Sequence, residues 1–69
     1  MITSEEKIRL EKTVARAFSR EDWEWLCVEK HYAEVVDNVT SGEAVFMAIV
    51  VGFALMESRN VGAVTAINA

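Results

Sequence analysis

The sequence predicts an all-α fold: one compact domain spanning 1–69, with three helices near 4–18, 20–39 and 41–58 and a short C-terminal tail. Three observations carry that prediction. The chain has no proline and only three glycines, so little in it interrupts a helix. Helix-start signals recur at Thr3-Ser4-Glu5-Glu6, Ser19-Arg20-Glu21-Asp22 and Thr40-Ser41-Gly42-Glu43. Each sets a hydroxyl three residues ahead of an acid, so the hydroxyl can accept from a free helical N–H while the acid reaches back to the cap. Finally, Ala44 to Met56 carries no charged or strongly polar side chain and is framed by Glu43 and Glu57. An apolar cylinder of that kind must be covered by other elements or by a second chain. The third helix is therefore expected at the centre.

In helix 1, Leu10, Val14, Ala17 and Phe18 fall on one stripe, widened by Ile8 and Ala15. Glu11 interrupts the stripe and is expected to lay its stem along the boundary with its head in water. Lys7, Arg9, Lys12 and Arg16 read as a solvated face, with Glu5–Arg9 as a supporting i,i+4 pair.

Helix 2 carries a heptad-like seam, Trp25, Val28, Tyr32, Val35 and Val39, with Val36 beside it. That seam should meet helix 3. Its valines are weak helix formers, so packing must hold this half helical, and a strand over 33–40 is the competing reading. On a regular helix Trp23, Leu26 and Cys27 lie about 130–160° from the seam, with Lys30 and Glu34 continuing that side. Either helix 1 covers them, or Trp23 and Leu26 form a contact surface ringed by Asp22, Glu24 and Glu34.

In helix 3, Ala44, Ala48 and Gly52 form a ridge of small side chains that lets another helix come close. A crossing within the chain and a two-fold crossing of two copies both use such a ridge; the second makes these residues an oligomer interface. Phe46, Ile49, Val50, Phe53 and Met56 are expected at the centre of the core. Arg59 suits the negative pole of the helix, and Asn60 or Gly62 can supply a left-handed cap. Val61, Val64 and Ile67 recur every third residue, as a further helical turn or a docked strand would have them.

Composition bounds the function. At 52% hydrophobic in 69 residues, the chain has more apolar surface than so small a domain can hide, which points to a homodimer or larger homo-oligomer. The net charge is −4, and residues 21–37 set six acids against Lys30. Phosphate neutralisation needs the opposite sign, so direct nucleic-acid binding is disfavoured. A helix-turn-helix reading fails as well, because the helix after the turn offers base edges no arginine, lysine, asparagine or glutamine.

The single Cys27 excludes an internal disulfide, fits a reducing cytoplasmic setting, and leaves no cysteine cluster for a metal. Cys27, His31 and Glu34 share a face on an unbroken helix, but three ligands fall short of a structural zinc site. A Cys–His nucleophile also needs a cleft and an oxyanion hole. No cofactor is expected. No secretory signal is visible, and the apolar run of 13 residues is shorter than the ~20 a membrane span needs.

The function expected from sequence is therefore non-enzymatic. The chain reads as a small acidic regulator or inhibitor, of the kind phages and mobile elements encode, that occludes a basic surface of a larger protein. Asp22, Trp23, Glu24, Leu26, Lys30 and Glu34 are the expected contact residues. The alternative is a structural, self-assembling subunit with no external target, built through Ala44, Ala48 and Gly52.

Overall fold

The computed structural model describes the backbone of residues 2–68 and the side chains of 2–62. Every described element is a helix: α1 (Ser4–Ala15), α2 (Arg20–Val28), α3 (Lys30–Asp37) and α4 (Gly42–Asn68). The all-α class is as the sequence predicts, but there are four helices and not three. With 27 residues α4 is about 40 Å long. It sets the long dimension of a molecule measuring 50 × 18 × 17 Å. The three short helices pack along one side of it.

The caps explain the starts. Thr3 Oγ1 accepts from the Glu6 N–H at 3.1 Å, and Ser19 Oγ from the Asp22 N–H at 3.2 Å. At the third start the cap is Ser41, one residue later than expected, accepting from the Ala44 N–H at 3.2 Å. Within α1 the ion pair formed is Lys7–Glu11 at 3.3 Å. Lys7 also donates to the Val36 and Asp37 carbonyls at 3.2 and 2.7 Å. Its charge thus sits at the negative end of α3 and ties that end to α1; Lys7 is a strut, not part of a solvated face.

The expected second helix is broken at Glu29, whose extended backbone (φ −77°, ψ 119°) ends α2 and starts α3. Glutamate is a good helix former, so nothing local asks for the break. Core packing does. On a continuous helix Trp23 and Tyr32 would point in opposite directions. Across the break their rings meet edge to face with centroids 6.1 Å apart, and Leu26 and Tyr32 are both fully buried. Of the predicted seam, Tyr32 and Val39 are in the core and Trp25, Val35 and Val36 pack against it, while Val28 turns outward, 79% exposed. The strand reading of 33–40 is overturned, since the chain is helical to Asp37.

The core consists of Val14, Leu26, Tyr32, Val39, Val45 and Ala48. Phe18 joins it just beyond α1, its ring 4.9 Å from Phe53 and 6.3 Å from Trp23. Tyr32 supplies a polar contact at the centre, donating from its hydroxyl to the Ala48 carbonyl at 3.0 Å. Burial, and secondarily the charge of Cys27, pushes the Tyr32 hydroxyl up to about 12. Unfolded tyrosine ionises near 10, so the unfolded chain loses this proton first. The contribution is full below pH 10 and falls away as pH rises towards 12, by up to about 1.4 kcal/mol per pH unit. Tyr32→Phe should cost about 1 kcal/mol at neutral pH. It should also flatten the stability curve in that alkaline window, which urea titrations at several pH values would measure.

Candidate functional site

The orientation of α4 decides which surface is available. The ridge Ala48–Gly52 faces inward: Ala48 and Gly52 are buried and Ala44 half-buried. Phe18 and Tyr32 lie directly on Gly52, where a β-carbon would run into Phe18 Cζ and come within 3.0 Å of the Tyr32 hydroxyl. These small residues make the crossing within the chain. The two-copy crossing expected through Ala44, Ala48 and Gly52 is therefore corrected, because that ridge is occupied by the chain's own aromatic side chains.

The bulky residues expected at the core centre turn the other way. Phe46 is 66% exposed, Val50 45% and Phe53 50%, and Met47, outside the expected set, joins them at 56%. Only Ile49 and Met56 of the predicted set are packed against the core. The reason is geometric. Small side chains let the helix axes approach, and backbone atoms of α4 then become reachable, as the Tyr32 bond to the Ala48 carbonyl demonstrates. Bulk on that side would hold the helices apart. Consequently Phe46, Met47, Val50, Phe53 and Ala54 form a continuous outward apolar stripe, with exposed Glu43 and Glu57 closing its two ends. The stripe is the site that sequence reasoning missed. The four-residue spacing of Ala44, Ala48 and Gly52 was the available signal, because a ridge that packs inward forces the opposite face out.

The helix also extends beyond the predicted end at 58, and no described residue has a positive φ, so the expected left-handed cap at Asn60 or Gly62 is absent. The backbone is helical as far as Asn68, while the side chains of Val64 and Ile67 lie outside the described residues. Over Gly42–Gly62, 21 residues with a mean hydropathy of 1.5, α4 is long and apolar enough to cross a membrane, and only 17% of that segment is buried. That segment includes Glu43, Glu57 and Arg59, and its uncharged part is the 13-residue run from Ala44 to Met56.

Several of the residues expected to bind a basic partner are engaged within the chain. Leu26 is fully buried and so is not a surface anchor. Trp23 is half-buried, its ring packed against Phe18 and Tyr32. Glu24 is exposed beside Arg20, with which it pairs at 3.4 Å. Lys30 and Glu34 are exposed but lie on α3, beyond the break at Glu29.

Asp22 is committed within the chain: Arg59 Nη2 donates to its Oδ1 at 3.0 Å, and the Arg59 guanidinium stacks 4.7 Å above the Trp25 ring. Arg59 thereby clamps α2 to α4. Its hydrogen bond, then that of Ser19, holds the Asp22 carboxyl below the ordinary carboxylate range. A depressed carboxyl contributes stability above its unfolded pKa and loses it as pH falls through the folded one. Arg59→Met should raise the Asp22 midpoint in a carboxyl-resolved NMR titration.

Cys27 is an exposed residue on α2 while His31 and Glu34 belong to α3, so the break removes the shared helical face. Partial burial of the thiol, and then the charge of Glu11, raises the Cys27 pKa, the reverse of what a nucleophilic thiol requires. Among the described residues no group of three metal-binding side chains converges. A shallow groove of about 340 Å³ is lined by Lys12, Ala15, Arg16, Phe18, Arg20 and Trp23, with neither a carboxylate nor a histidine in its wall. Comparison with known protein families, curated proteins and solved structures finds no match.

Proposed function

We propose that this chain is a non-catalytic, self-assembling subunit whose contact surface is the outward face of α4. The single observation behind this reading is the stripe from Phe46 to Ala54, in which four large apolar side chains are 45–66% exposed on a helix whose other face is already packed. A contiguous apolar patch of this kind often marks an interaction surface.

Two features favour a protein over lipid as the cover. Between Glu43 and Glu57 the apolar run spans about 20 Å, short of the ~30 Å hydrocarbon layer, and Glu57 lies on the outward face itself. Moreover, α1–α3 pack beside α4 from Val45 to Arg59, so a spanning α4 would carry their charged surfaces into the bilayer. An acidic rim is equally unsuited to an anionic membrane surface.

The inhibitor reading ranks second. The acidic α2–α3 surface could still steer a basic partner, but its apolar anchors are taken by the core. Light scattering across a dilution series tests the proposal. A mass that falls from dimer or larger to monomer on dilution is the expected result. A monomer at every concentration up to ~1 mM, a Kd worth only about 4 kcal/mol, would sink it.

A further inference from the structure

We propose that the occupant of the α4 face is the same face of a second copy, laid antiparallel about a two-fold axis beside Val50. This rests on the self-assembly reading above and adds the partner surface and its orientation.

Size is the first argument. With Phe46 66%, Met47 56%, Val50 45% and Phe53 50% exposed, the stripe offers on the order of 500 Å² of apolar surface. A standard interface buries about 800 Å² per partner, and homodimer interfaces are roughly two-thirds apolar. The patch is thus about what one stable two-fold contact consumes, with Glu43 and Glu57 placed where a polar rim belongs.

Shape gives the orientation. At 100° per residue and with Val50 as the origin, Phe46 and Phe53 lie about 40–60° to one side. Met47 and Ala54 lie about 40–60° to the other side. In an antiparallel pair equal sides meet with their order reversed. Phe46 then lies beside Phe53 of the second copy, which gathers four phenyl rings on one flank. On the other flank Met47, the most adaptable side chain of the stripe, sits over the small Ala54 of the second copy. A parallel pair instead sets each phenylalanine flank against the Met47–Ala54 flank and aligns the two helix dipoles unfavourably.

The charged ends make the orientation testable. Antiparallel pairing brings Glu43 opposite Glu57 of the second copy, whereas parallel pairing sets each glutamate opposite itself. Glu57→Lys in the full chain therefore creates two Glu–Lys contacts only in the antiparallel dimer. We expect dimer affinity to rise about tenfold at low ionic strength, with the gain largely lost near 1 M salt. Glu43→Lys should do the same, and combining both substitutions should return the affinity to that of the wild type. Circular dichroism of each variant checks that the helices are kept, and both positions are exposed. A dimer whose affinity neither single substitution raises overturns the antiparallel arrangement and leaves self-assembly standing. A wild type that never leaves the monomeric state overturns both.

Discussion

Gly52→Leu should unfold the protein, or lower its stability by more than about 3 kcal/mol, and not merely dissociate an assembly. Gly52 is buried where Phe18 and Tyr32 close over α4, and even a single methyl there meets Phe18 Cζ and the Tyr32 hydroxyl. Glycine in a helix interior costs ~1 kcal/mol against alanine, so its presence is repaid by close approach. Leucine removes that propensity penalty but inserts four carbons into space already filled. Ordinary overpacking costs about 1–3 kcal/mol. Here the displaced rings also hold Trp23 and Phe53, and the Tyr32 bond to Ala48 would break. Thermal unfolding followed by circular dichroism measures the effect. Gly42→Leu is the matched control, since nothing lies within 4 Å of a β-carbon at that position. A Gly52→Leu chain as stable as the control would mean that α4 is not packed through its small ridge.

The extent to which this architecture was legible in sequence differs by level. Helix class and starts were written in hydroxyl–acid spacings that act within a single turn, and Thr3 and Ser19 cap as those spacings require. Local chemistry of that kind needs no tertiary context. The break at Glu29 has no such signature. It lets the Trp23 and Tyr32 rings meet, which one straight helix would point in opposite directions. The end of α4 was misplaced because Arg59 and Asn60 resemble a terminus, whereas Arg59 is held by Asp22 and Trp25 and the helix passes through it.

The rotation of α4 was the most consequential difference. With apolar residues on both faces, volume suggests that Phe46, Val50 and Phe53 go in, while the Ala44–Ala48–Gly52 spacing suggests the opposite. Helix proximity decides in favour of the second, and it converts the predicted core into the candidate surface. On α2 the two expected apolar anchors are drawn inward, Leu26 into the core and Trp23 against it. Trp23 and Leu26 looked unpartnered only while helix 2 was taken as straight.

Val50→Arg should abolish self-association and leave the fold intact. Val50 lies at the centre of the outward stripe, 45% exposed and outside the cluster of residues packed on the core. Arginine is also a better helix former than valine, so within one chain the change should stay inside about 0.5 kcal/mol. Across a two-fold axis the same change acts twice: two guanidinium groups would face each other in a seam that offers them no carboxylate. Leaving a buried charge uncompensated costs about 3–5 kcal/mol, and at 1.4 kcal/mol per decade that is at least a hundredfold loss of affinity. Sedimentation or light scattering should report a monomer at concentrations where the wild type is assembled, while the helical circular dichroism is unchanged. Glu24→Lys on α2 is the informative contrast. It reverses a charge on the surface that the inhibitor reading needs and touches nothing on α4, so assembly should survive it. If instead Glu24→Lys dissociates the assembly and Val50→Arg does not, the contact surface lies on α2. The apolar face of α4 would then have to be covered by something other than a second copy.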